Sequence, residues 1–98
     1  MLEVTNDMEK VLENYAVVYF TAPWCGPCVA LKPQYARAGT IDTLNQYYIV
    51  DVDEIDKSYL DEFGIQSVPH IFIMKDRKIL NEVTAKTADK IIDQVNNV

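Results

Sequence analysis

The chain has only two cysteines in 98 residues, Cys25 and Cys28, too few for a disulfide framework. A bridge between residues so close in sequence closes a tiny loop and removes little entropy from the unfolded chain, so stapling is a poor explanation for the pair. A closed zinc site takes four ligands, and beyond the two thiols there is a single histidine, His70. Basic residues are scarce too: nine Lys and Arg stand against fifteen Asp and Glu, a formal net charge of −6. They are scattered, which argues against nucleic acid as a partner; the acidic balance reads as a solubility feature. No run approaches the roughly 18 apolar residues a membrane span requires. Met1 to Lys10 carries acids and lacks the basic start of a secretory signal. A cytoplasmic protein is expected, although a secreted one with its signal removed would read the same. Three glycines and four prolines mark no linker, and 49% hydrophobic residues suit a soluble globule. One domain over residues 1–98, acting as a monomer, is expected.

What is present alternates between strand and helix patterns. Leu2 and Val4 suit a short edge strand, and Asn6 or Asp7 suits the cap of a helix running to about Glu13. Ala16 to Thr21 is a continuous apolar and β-branched run, as in a central strand covered on both faces. Ala22-Pro23-Trp24 breaks it. From Cys25 the spacing of Cys28, Leu31 and Tyr35 is helical, with Pro27 in the first turn. Pro33 is expected to kink this helix and Gly39-Thr40 to end or disturb it. Tyr47 to Val52 reads as a second buried strand, Glu54 to Phe63 as a helix stopped at Gly64, and Ile71 to Met74 as a third strand. Lys75 to Lys78 is a glycine-free turn leading to Ile79, Leu80 and Val83, and Thr87 caps a last helix. The order β-α-β-α-β-α-β-β-α implies an α/β fold with helices on both faces of a mixed sheet.

Placed after a buried strand and at a helix start, the two cysteines read as a redox pair. The thiolate is the reactive form, and an ordinary cysteine with a pKa of about 8.5 is mostly protonated at neutral pH. At a helix N-terminus, unpaired N–H groups and the dipole favour the anion, which points to Cys25 as nucleophile. Cys28, one turn on, suits the resolving thiol. Gly26 is expected to let the backbone turn closely, and Pro27 to stiffen the loop.

The run Ala22-Pro23-Trp24-Cys25-Gly26-Pro27-Cys28, with Pro33, Val50-Asp51-Val52-Asp53, Phe63-Gly64-Ile65 and Val68-Pro69, resembles the thioredoxin family over nearly the whole chain. The resemblance implies a four- or five-stranded mixed sheet flanked by about four helices and a cis bond before Pro69. It implies reduction of protein disulfides, with electrons from a thioredoxin-reductase-type donor and no cofactor beyond the Cys25–Cys28 disulfide. Trp24, Gly26, Pro27, Val68, Pro69 and Thr84 are then the residues expected along the substrate, with the Val68 backbone pairing to the substrate chain.

Three departures from the family pattern involve four positions. The buried aspartate that usually lies beneath the dithiol is Tyr19 here, and the lysine or other polar residue accompanying it falls at Ile49. Losing both together strands no buried charge. His70 stands where threonine is typical, and it is expected to hydrogen-bond Tyr19 and serve as the base for Cys28. A glycine usual before the last helix falls at Ala85, after Thr84, and the added methyl is expected to narrow the range of partners. Two other functions fit the same residues. One is a dithiol oxidase or isomerase. The other is an interaction module using the surface of Trp24, Val52, Val68, Pro69 and Thr84.

Overall fold

The run Ala16–Thr21 forms the central strand β2 of the computed structural model, which describes residues 1–97, and every residue of it is buried. Around it stand β1 (Leu2–Val4), α1 (Met8–Val11), α2 (Gly26–Ile41), β3 (Tyr47–Asp51), α3 (Lys57–Glu62), β4 (His70–Lys75), β5 (Lys78–Glu82) and α4 (Ala88–Asn96). The strands lie in the order β1-β3-β2-β4-β5, with β1, β3 and β2 parallel and β4 and β5 antiparallel to their neighbours. This is the mixed five-stranded sheet with four helices that the alternation implied.

Because side chains alternate across a strand, β2 divides the core in two. Val18 and Phe20 pack with Val50, Phe72 and Met74 against Met8 and Val11 of α1 and Tyr59 and Leu60 of α3. Val17 and Tyr19 pack with Ile49, Ile71 and Ile73 against Leu31 and Tyr35 of α2 and Ile91 and Val95 of α4. Tyr35 ties α2 to the sheet. Its hydroxyl lies 2.8 Å from the Tyr48 carbonyl and 3.1 Å from that of Val17, donating to one at a time. Burial pushes this phenol well above its usual pKa, so it stays a neutral donor.

Several boundaries differ from expectation. Helix α2 runs on through Pro33, Gly39 and Thr40 to Ile41. Gly39 is there for close approach, because a Cβ would stand 3.0 Å from both Leu2 Cδ1 and Tyr47 Cβ. The helix expected from Glu54 begins only at Lys57, capped by the Asp56 carboxylate on the Ser58 N–H at 2.9 Å. Before it, Val52–Glu54 is a single 3-10 turn held by Asp51, which accepts the Asp53 N–H at 2.9 Å. Gly64 follows α3 at φ +66°, the left-handed conformation that a helix stop favours. The β4–β5 turn is made without glycine by Asp76 (φ 53°) and Arg77 (φ 63°). Arg77 is held there by the carboxylates of Glu9 on α1 and Glu62 on α3, each at 3.0 Å.

Asp42, just past α2, is 7% exposed yet accepts hydrogen bonds from Tyr47 Oη at 2.8 Å, Asn45 Nδ2 at 2.9 Å, the Leu44 N–H at 3.0 Å and Asn96 Nδ2 at 3.3 Å. Burial raises its pKa, but these donors together outweigh burial and leave it below the usual carboxylate value. A lowered folded-state pKa stabilises the fold above the unfolded value of about 3.9 and is lost as pH falls through the folded value. Asp42→Ala should therefore cost about 2–3 kcal/mol at pH 7, leaving the buried Tyr47 hydroxyl without its acceptor. The gap to the parent in urea melts should shrink below about pH 4.

Candidate active site

Pro23 and Trp24 end β2, and the chain turns directly into α2 with Cys25 as its N-cap residue. The Cys28 N–H donates to Cys25 Sγ at 3.2 Å, so the sulfur takes the place a serine or aspartate oxygen holds at other helix starts. No acidic residue in the first turn of α2 competes for that positive end. The two cysteines are joined as a disulfide. Cys25 is 5% exposed and Cys28 1%, which makes Cys25 the outer sulfur. Cys25 Sγ lies 3.6 Å from the carbonyl oxygen of Val68, whose bond to Pro69 is cis.

Trp24 lies open at the rim, 67% exposed, with its indole N–H donated to Asp53 Oδ2 at 2.7 Å. Asp53 is a site residue that sequence reasoning did not single out, although it stood in the Val50-Asp51-Val52-Asp53 run. Trp24, Val52, Leu60, Ile65 and Val68 line one mostly apolar groove of about 190 Å³. On the other side, Pro27, Leu31, Pro69 and Lys86 line a second, and Pro69 also borders a third with Thr84, Glu82 and His70. Five of the six residues expected along the substrate thus border hollows around the dithiol. Gly26 does something different. It is the first residue of α2, its φ is not positive, and a Cβ there would meet nothing within 4 Å. The backbone at this position does not require a glycine.

Tyr19 lies beneath the pair, wholly buried, and its hydroxyl donates to the Cys28 carbonyl at 2.8 Å. Its ring packs on Tyr35 at 4.9 Å between centroids, and burial raises its pKa, so it remains a neutral phenol. Ile49 is its cross-strand neighbour, also buried. The expected hydrogen bond from His70 to Tyr19 is not formed. Register is the reason: His70 sits opposite Phe20, whereas Tyr19 sits opposite Ile71, so the two side chains leave the sheet on opposite faces. His70 Nδ1 instead meets Glu82 Oε2 at 2.8 Å, and its ring stacks on Phe72 at 5.1 Å. The base proposed for Cys28 is therefore engaged elsewhere. Glu82 could not be found from sequence, because it lies across a hairpin whose bulge shifts the register.

Among the described residues no cluster of histidine, cysteine or carboxylate side chains is arranged to hold a metal ion. None of the described helices is long and apolar enough to cross a membrane.

The comparisons agree with this geometry. The sequence model of the thioredoxin family matches residues 2–97. Thioredoxin H5 of Arabidopsis thaliana is 30% identical over 97 residues, covering 96% of this chain and 81% of that protein. Thioredoxin Asp f 29 of Aspergillus fumigatus is 35% identical over 79 residues, with 76% and 71% covered. The chloroplastic thioredoxin F of Oryza sativa is 33% identical over 75 residues; the match takes in 76% of this chain but only 40% of that longer relative. Among solved structures, Schistosoma mansoni thioredoxin superposes with a TM-score of 0.78 at 24% identity, covering 97% of this chain and 93% of that one. The chain belongs to the thioredoxin family, and its adjacent Cys25 and Cys28 make it a thiol–disulfide oxidoreductase.

Proposed function

We propose that the chain reduces disulfides in protein substrates and is itself re-reduced by a thioredoxin-reductase-type donor. The placement of Cys25 as the cap of α2 carries this reading, because the helix end favours its sulfur as the anion. In the reduced protein the Cys25 thiolate attacks one sulfur of the substrate disulfide. An S–S bond forms between Cys25 and the substrate, and the other substrate sulfur leaves as thiolate. Cys28 then attacks Cys25, the mixed disulfide breaks, and the Cys25–Cys28 disulfide is left behind. The Val68 carbonyl, beside Cys25 Sγ, faces the strip where a substrate backbone N–H would lie. Trp24 and Pro69 bound that strip on either side. The dithiol is its own redox group, and a reducing compartment such as the cytoplasm suits it.

Insulin reduction followed by turbidity, first with dithiothreitol and then with a thioredoxin reductase and NADPH, tests the proposal. Acceleration under both regimes is expected, and a dithiol with a potential near about −270 mV. A potential near about −120 mV would instead mark an oxidant, and no acceleration with either donor would leave the groove a binding surface only.

A further inference from the structure

The family's buried acid beneath the dithiol is absent, Tyr19 donates rather than accepts, and His70 is held by Glu82 on the opposite face. Cys28 therefore needs another route for its proton. A hollow of about 300 Å³ lies against Cys28, lined also by Thr21, Ile49, Asp51, Lys32 and Asn6. Its rim is formed by the exposed residues Val4 and Val29, so solvent reaches it. That volume holds several waters, and the walls offer the polar partners waters need.

The register sharpens the point. In the β2–β3 ladder Tyr19 pairs with Ile49 and, two residues on, Thr21 pairs with Asp51. Positions two apart share a sheet face, so Asp51 lies on the face of the missing polar pair, displaced about 7 Å along the strand toward the dithiol end. The carboxylate is oriented: Asp51 Oδ1 accepts the Asp53 N–H at 2.9 Å, and the Asp51 N–H is given to Asn6 Oδ1 at 3.3 Å. Among the described residues no hydrogen bond occupies Oδ2. The charged groups facing the hollow are Asp51 from β3 and Lys32 from α2; Thr21 from β2 and Asn6 from the β1–α1 connection are neutral.

We propose that Asp51 accepts the Cys28 proton through water in this hollow, doing from the cavity wall what the family's buried acid does from beneath. The assignment rests on the resolving role of Cys28. In the step, the Cys28 S–H proton passes by water to Asp51 Oδ2 as Cys28 sulfur bonds Cys25. The bond from Cys25 to the substrate sulfur breaks, and that sulfur leaves with the electron pair and takes its proton from solvent.

Stopped-flow reaction of the reduced protein with 5,5′-dithiobis(2-nitrobenzoate) separates the stages. The first thionitrobenzoate is released when Cys25 attacks, the second when Cys28 resolves. Asp51→Asn keeps an oxygen for the Asp53 N–H, so the fold is preserved. It should slow the second release about tenfold or more at pH 7, leave the first within about twofold, and match the parent above about pH 9. Asp51→Glu should restore most of the rate. The sign is diagnostic, since merely removing a negative charge would make Cys28 more acidic and speed resolution at low pH. A second-phase pH profile unchanged in Asp51→Asn overturns the assignment to Asp51. A second release that persists in Cys28→Ser is a different failure and overturns the resolving role itself.

Discussion

Replacing Cys28 with serine is expected to turn the protein into a trap, held as a mixed disulfide with its substrate, whereas replacing Cys25 abolishes reaction altogether. The two sulfurs are chemically alike, and only their places in α2 separate them. Cys25 is the outer one, at the cap, receiving the Cys28 N–H and bordering the Val68 carbonyl. Cys28 is a turn inside and buried. Cys25→Ser should lower disulfide reduction by about three orders of magnitude or more, since an un-ionised hydroxyl is no substitute for a thiolate. In Cys28→Ser the first step survives, but no second thiol displaces the substrate, so turnover stops with the adduct intact. Intact-mass spectrometry after mixing with an oxidised peptide would display the adduct for Cys28→Ser and none for Cys25→Ser. Reversal of that pattern would interchange the roles, and adducts in neither variant would remove thiol exchange from the account.

Much of this was legible in the residues. The strand run Ala16–Thr21, the cysteines at a helix start and the apolar faces of the last helix are local patterns, and local patterns survive folding. A mixed sheet with helices on both faces follows once the alternation is read with the hairpin at its end, whereas the strand order β1-β3-β2-β4-β5 is not fixed by those patterns. Gly39 misled because a glycine signals both helix termination and close packing, and only the position of Leu2 and Tyr47 decides between them. The 3-10 turn falls where the expected strand Tyr47–Val52 meets the expected helix Glu54–Phe63, and it forms because Asp51 and Asp56 act as caps through their side chains. His70 was placed on the wrong partner. A single-residue shift in strand register moves a side chain through the sheet, and that register was set by pairing that no local pattern records. The cavity at Cys28 is farther still from the sequence: Lys32, Asp51 and Val4 come from α2, β3 and β1, and only topology brings them together.

Tyr19→Asp, which installs the residue typical of the family, should be among the most damaging single changes to stability in this chain. Tyr19 is fully buried, packs on Tyr35 and donates to the Cys28 carbonyl. Truncating a large buried aromatic costs about 3–5 kcal/mol, and the introduced carboxylate would face Ile49 rather than a cation. Burial in that setting raises the folded-state pKa of the new acid above its unfolded value of about 3.9. The folded state then binds the proton more tightly than the unfolded one, so stability is greatest below about pH 4. It declines by about 1.4 kcal/mol per pH unit until the folded pKa is passed. Tyr19→Asn, equal in size and unable to ionise, removes the same packing without this slope. Urea melts at pH 4.5 and 7.5 should therefore find the two variants close at the lower pH and the aspartate form markedly weaker at the higher. Ile49→Lys added to Tyr19→Asp should recover part of the loss at pH 7.5, as a cross-strand cation would neutralise the introduced charge. If the aspartate and asparagine variants melted in parallel at both pH values, the space under Cys28 would be wet enough to solvate a charge. The loss of both polar groups would then have left no dry pocket to explain.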